Sequence, residues 1–165
     1  MSAVQDRYPD DVAWCYGCGR HNAHGLHIRT EWTGQAGVAR FTPRPEHTAV
    51  PGFVYGGLLA SLIDCHAIGT AAAVSMHAAG LTPGVDPSPR FVTAALEVRF
   101  LKPTPIDDEL ELTAIPVDVS EKKVIVKVTV RADGVDTVLG HVVARSEEHT
   151  SEFQSRFGIS YAVFC

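Results

Sequence analysis

The stretch GFVYGGLLASLIDCHAIGTAAA, residues 52 to 73, narrows the possible folds more than any other part of the chain. The Gly56-Gly57 step opens a helix that should run to about Ala79, and its apolar residues fall on every side rather than along one stripe. A helix with no polar face must be wrapped by other elements or sit in lipid. Asp64, His66 and His77 interrupt this run, and each would be costly in lipid, so the expectation is a buried helix in a globular domain with no membrane partner.

The rest of the chain supplies the wrapping. GLHIRTEW and GVARFTPR alternate apolar and polar residues around the turn TGQA and read as a hairpin before the helix. After the helix, GLTPGVDPSPR is a proline-rich loop, followed by strand candidates from Thr93, Asp108 and Lys122. In the last of these Val124, Val126, Val128 and Val130 share one face, and Asp133-Gly134 then turns into a final strand, VDTVLGHVVA. The expected fold class is α+β, an antiparallel sheet of about five to six strands wrapped around one long apolar helix. At 165 residues and 45% hydrophobic content, one domain with a substantial core is expected.

The pattern changes at Arg145, where RSEEHTSEFQSRFGISYAVFC shows neither helical nor strand periodicity across its polar half. This run resembles the conceptual translation of a short-read sequencing adapter, with RSEEHTSE and ISYAVFC as two constant blocks in one frame. The expected division is therefore a domain over residues 1 to 144 and a non-native tail over 145 to 165, which carries no functional weight.

A net charge of −5 argues against a surface that grips nucleic-acid phosphates. The opening MSAVQDRYPDDVAW does not read as a secretory leader, so the expected location is cytoplasmic. The irregular spacing of Cys15, Cys18, Cys65 and Cys165 disfavours a disulfide framework.

Three segments together resemble the hotdog-fold acyl-CoA thioesterases, in the branch similar to phenylacetyl-CoA thioesterase: CYGCGRHNAHGL, PGFVYGGLLASLIDCHAIGTA and TAALEVRFLKPTPIDDEL. Family members show His-Gly-Gly with an acid seven residues after the histidine's glycine pair, and here Tyr55-Gly56-Gly57 leads to Asp64. The resemblance implies that Asp64 is the general base or nucleophile and that the first glycine's amide, at Gly56, polarises the thioester carbonyl. It also implies that Thr93, ten positions before Pro103, holds the attacking water. Tyr55 stands where histidine is usual, and Ala49 where some relatives place an asparagine that contacts the carbonyl. Both departures bear on catalytic rate more than on fold or substrate class.

Elementary chemistry supports the same roles. The first amides of a helix have no intrahelical acceptor and carry partial positive charge, so Gly56 and Gly57 offer donors to a developing oxyanion. Asp64, between Ile63 and Cys65, is expected to be partly desolvated and a stronger base for it. The alternative for Asp64 is a structural hydrogen bond to neighbouring backbone or to a second subunit. Asp64 lies on nearly the same helix stripe as Gly57 but about 10 Å further along, so one carbonyl carbon cannot meet both in a single chain. Two antiparallel copies of the helix would bring glycines and acid together, so a homodimer with shared sites is expected, with pairing of dimers into tetramers left open. His66 is rotated about 200° from Asp64 and reads as a packing or interface residue.

CYGCGRHNAHGLH places Cys15, Cys18, His21, His24 and His27 at three-residue steps, a superficially zinc-like pattern. His27 falls on the expected first strand, and the competing reading is a compact turn anchored by Asn22 and Gly25 with the two cysteines packed on the sheet. The expectation is no metal and no cofactor. The substrate expected is a medium-chain or aromatic acyl-CoA, with Tyr55, Arg90, Arg99 and Lys102 as substrate-binding candidates and Leu81 to Arg90 as a cover for the acyl group. The competing function is a non-catalytic acyl or acyl-CoA-binding hotdog protein.

Overall fold

The computed structural model describes residues 2–147. Strands β1 (Glu31–Trp32) and β2 (Gly37–Phe41) precede helix α1 (Gly56–Ala78), and β3 (Phe91–Phe100), β4 (Leu110–Val119), β5 (Lys123–Ala132) and β6 (Val135–Ser146) follow it. The six strands form one antiparallel sheet in the order β1-β2-β4-β5-β6-β3. This is the expected hotdog architecture, with α1 lying across the sheet's inner face.

The alternation in β5 dictates which face is inner: Val124, Val126, Val128 and Val130 are fully buried against the helix, while Lys127 and Arg131 are exposed. Asp133 and Gly134 take left-handed backbone angles, φ 46° and 72°, the conformation that a tight β5–β6 hairpin requires. The helix contributes Leu58, Leu59, Leu62, Ile63, Ala67, Ile68 and Ala71 to one core with the inner faces of β4, β5 and β6. Although α1 is long and apolar enough to cross a membrane, 72% of its most apolar window is buried inside the protein. Close approach of α1 to the sheet is set at Gly140 of β6, where an added Cβ would lie 2.3 Å from Ile63 Cγ2.

Three expectations are refined. The first strand reduces to Glu31–Trp32, because residues before it bond elsewhere: Leu26 N–H donates to Tyr16 O (2.7 Å), Ile28 N–H to Gly17 O (2.9 Å), and Val4 N–H to Thr30 O (2.9 Å). His27 therefore lies outside the strand, with φ 55°. β6 continues through the change of composition at residue 145, with Arg145 opposite both Val92 and Lys123 and Ser146 opposite Phe91; residues 148–165 of the expected tail lie outside the described residues.

The third refinement is a bulge between Thr93 and Ala95 in β3. It shifts the alternation by one residue, so Phe91 and Thr93 face the helix before it and Leu96, Val98 and Phe100 after it, opposite the inward Val142, Gly140 and Val138.

His66 is fully buried, as the packing reading requires. Its Nδ1 pairs with Thr30 Oγ1 at 2.9 Å, and Thr30 is held in turn by Gln5 Nε2 at 3.1 Å. Burial lowers its pKa from 6.5 to about 4, only partly opposed by the Gly37 and Leu112 carbonyls, neither of which meets Nε2 in hydrogen-bond geometry.

Two outcomes follow from this packing. Gly140→Val should destabilise the fold by about 1–3 kcal/mol through overpacking, read by urea unfolding, with part recovered when Ile63→Ala makes room. As pH falls below 6.5 the unfolded chain binds a proton that folded His66 refuses until about pH 4. Stability should therefore drop by about 2 kcal/mol between pH 6.5 and 5, and His66→Gln should remove that part of the slope.

Candidate active site

The helix mouth is built by a strand-like lead that ends in a helix without a side-chain cap. Tyr55 N–H donates to His47 O at 2.8 Å, and the Tyr55 carbonyl accepts from Leu58 (3.1 Å) and Leu59 (3.3 Å). Gly56 and Gly57 are thus the first two helical residues, whose amides lie ahead of any intrahelical acceptor, with no acidic side chain in the first turn.

Two aromatic rings frame this mouth. A Cβ on Gly57 would lie 2.4 Å from Tyr55 Cε1, and one on Gly56 would lie 3.3 Å from Phe100 Cζ, so the glycine pair lets both rings rest close to the helix start. Tyr55 and Phe100 are 58% and 57% exposed, which leaves an apolar rim open to solvent or to a second copy. Phe100 was not foreseen, since the bulge that turns it inward leaves no mark in the apolar pattern.

On the mostly buried α1, Gly57, Ala60, Ser61 and Asp64 form a stripe that the chain's own sheet does not fully cover. Asp64 is half-buried, and Thr93 Oγ1 donates to its Oδ1 at 2.5 Å. Thr93 reaches the carboxylate because it precedes the β3 bulge, the kind of local kink that re-aims a side chain. The structure thus brings Asp64 and Thr93 together. Gly56 and Gly57 lie about two helical turns away along the same stripe.

The remaining candidates are dispersed. Arg90 ion-pairs with Glu147 at 2.8 Å and borders a cleft of about 430 Å³ lined by Tyr8, Trp14, Tyr16 and Phe91. This cleft reaches Val92, beside Thr93, and Cys15. Lys102 is exposed on the loop after β3, which runs beside the entry to α1 through Val54 N–H to Thr104 O (2.9 Å). Arg99 lies on the outer face of the sheet with Glu97, Lys127 and His141, so within one chain it does not join Asp64. A larger groove of about 790 Å³ sits at the far end of α1, around Met76, Leu81 and Val119.

The cysteines pack on the helix rather than on the sheet: the sulfurs of Cys15, Cys18 and Cys65 all lie within 4.8 Å of one another. The Cys15 contact, with burial and the charge of Asp64 adding to it, pushes the Cys18 thiol well up from its usual range. The Asn22–Gly25 turn forms as expected, with Gly25 N–H donating to Asn22 O at 2.9 Å. His21 pairs with Asp10 at 2.9 Å and stays out of the sulfur cluster.

Comparison with known proteins completes the picture. The sequence profile of the thioesterase superfamily matches residues 51–139, which span α1, β3, β4, β5 and the start of β6. The chain belongs to the thioesterase superfamily. A thioesterase superfamily protein from Shewanella loihica is 42% identical over 75% of this chain and 94% of its own, with a TM-score of 0.61. The same fold recurs in a Streptococcus mutans protein solved bound to acetyl CoA, with 15% identity over 72% of this chain and 87% of that one, TM-score 0.58. It recurs also in the E. coli PaaI protein from the phenylacetic acid degradation operon, with 17% identity over 73% and 80%, TM-score 0.59. Among curated proteins none matches the chain.

The Thr93–Asp64 hydrogen bond gives a direct test in this superfamily member. Thr93→Val should destabilise the fold by about 1–2 kcal/mol, because a half-buried carboxylate loses a charge-assisted donor, whereas Thr93→Ser should stay near wild type in urea unfolding.

Proposed function

We propose that this thioesterase superfamily member hydrolyses acyl-CoA thioesters carrying a medium-chain or aromatic acyl group. The observation that carries the reading is the 2.5 Å hydrogen bond from Thr93 Oγ1 to Asp64 Oδ1 on the uncovered stripe of α1. A water held beside this carboxylate–hydroxyl pair loses its proton to Asp64 as it attacks the thioester carbonyl carbon. The oxygen of that carbonyl becomes negative and is met by the Gly56 and Gly57 amides. Collapse expels the coenzyme A thiolate, which takes a proton, leaving a free carboxylic acid. Asp64 is assigned the role of base because the Thr93 hydroxyl that would orient a water lies against its carboxylate.

The glycines that serve a given Asp64 come from a second copy. β3 is a ten-residue edge strand with Leu96 and Phe100 exposed on it, and the Gly57–Ser61–Asp64 stripe lies open beside that edge. A two-fold partner covering both features sets its glycines against this chain's acid and makes two equivalent sites. The aromatic cleft beside Thr93 suits the acyl group, and Lys102, near the helix entry, suits the coenzyme's phosphates. The acetyl CoA found in a structural neighbour of the same fold supports this substrate class.

The ring of Tyr55, which rests beside Gly57 where the family shows histidine, favours a second reading, a non-catalytic acyl-CoA binder. One experiment separates the two and tests the shared site. Asp64→Asn and Gly57→Val should each abolish hydrolysis across a panel of acyl-CoA thioesters. Co-expressing the two variants should restore activity, since one of the two sites in a mixed dimer unites the intact acid with the intact glycines. Hydrolysis unchanged in Asp64→Asn removes the acid from the mechanism, and absence of restoration removes the shared site.

A further inference from the structure

The structure assigns a metal site to the three thiols of Cys15, Cys18 and Cys65: we propose that they bind one zinc ion as thiolates, with the fourth position open towards the aromatic cleft.

Two of the ligands come from one tight loop and the third from the helix. Cys15 and Cys18 lie in the loop Trp14–Gly19, closed by the Gly19 N–H donating to Cys15 O at 2.7 Å, and Cys65 follows Asp64 on α1. All three sulfurs fall within 4.8 Å of one another, with Cys15 and Cys65 at 3.6 Å. A zinc ion with bonds of about 2.3 Å needs thiolates roughly 3.8–4.0 Å apart, so the sulfurs stand close to a ligating arrangement. A disulfide would instead require one pair to close to about 2.05 Å and would strand the third thiol.

The loop's glycines show that this convergence is built. A Cβ on Gly17 would lie 2.2 Å from Cys65 Sγ, and one on Gly19 would lie 2.4 Å from the Cys15 nitrogen. In Cys-Tyr-Gly-Cys-Gly, therefore, Gly17 removes a side chain that would collide with the Cys65 sulfur, and Gly19 lets the loop close on the Cys15 backbone. Cys18 and Cys65 are buried, at 5% and 2% exposure, while Cys15 is half-buried and lines the 430 Å³ cleft, which gives an ion an entry path and a water a fourth position. Soft sulfur donors select zinc or cuprous ion. Zinc is the better fit electrostatically, because three thiolates beside Asp64 keep less net negative charge with a divalent cation. Binding involves no oxidation: three S–H bonds give up their protons as three metal–sulfur bonds form, and a water completes the set. The histidines that make the sequence look zinc-like take no part, since His21, His24 and His27 are exposed.

The test is a titration of the full, reduced protein with Co2+ as a spectroscopic stand-in, followed by displacement with Zn2+. One equivalent should give thiolate-to-cobalt charge-transfer absorption that Zn2+ abolishes. Cys165→Ser should leave the titration unchanged. Cys65→Ser and Cys15→Ser should each weaken binding by more than the tenfold to roughly hundredfold loss seen on removing an outer partner of a metal. The half-exposed Cys15 serves as the test if the buried replacement does not fold. No saturable cobalt uptake by reduced wild type, uptake that survives in folded Cys15→Ser, or a Cys15–Cys65 disulfide as the sole thiol chemistry would each overturn the assignment.

Discussion

A helix with apolar residues on every side can be stable in water only if something surrounds it, and the rest of this chain is organised by that demand. The sheet meets α1 with a wall of small and β-branched residues, Val124 to Val130 on β5 and Val138 to Ala144 on β6, and at Gly140 the two layers come close enough that no side chain fits between them. Where the sheet stops, the N-terminal segment takes over, through Gln5 and Thr30 packed on Gly69 and His66. The buried imidazole is tolerated because it is neutral and partnered by a neutral hydroxyl.

A face of α1 that stays incompletely covered is the one that carries Asp64. Gly57, Ser61 and Asp64 repeat at helical spacing, and the stripe they form lies beside the free edge of β3. The β3 bulge matters here more than its size implies. By advancing the strand one residue it lets Thr93 meet Asp64 at one end and Phe100 meet Gly56 at the other, two contacts that an unbroken alternation could not both make. It also sends Arg99 to the outer face, away from the acid.

Much of the architecture was legible before folding was considered. The glycine pair, the apolar run and the valine alternation specify a helix, its start and the sheet face that covers it, because period and burial are local properties of a sequence. Asp64 stands out for the same reason, as a charge where the pattern demands an apolar residue. The first strand shows the limit of this reasoning: GLHIRTEW alternates well, yet its first half bonds to the Tyr16–Gly17 loop instead of to the sheet, and alternation does not say which neighbour a strand-like segment will find.

The sequence by itself determined the helix, the inner face of β5, the Asp133-Gly134 turn and the presence of an acid within the apolar helix, since each follows from spacing or from one residue's backbone preference. Tertiary structure alone decided that Cys65 joins Cys15 and Cys18, that the Tyr55 ring rests on Gly57, and that Arg90 closes onto Glu147. Cys15 and Cys65 lie fifty positions apart in the chain, and only the packing of a loop on a helix brings their sulfurs to 3.6 Å. Contacts of that kind depend on where whole elements dock, and docking is settled by the summed burial of many side chains rather than by any motif that contains the residues concerned.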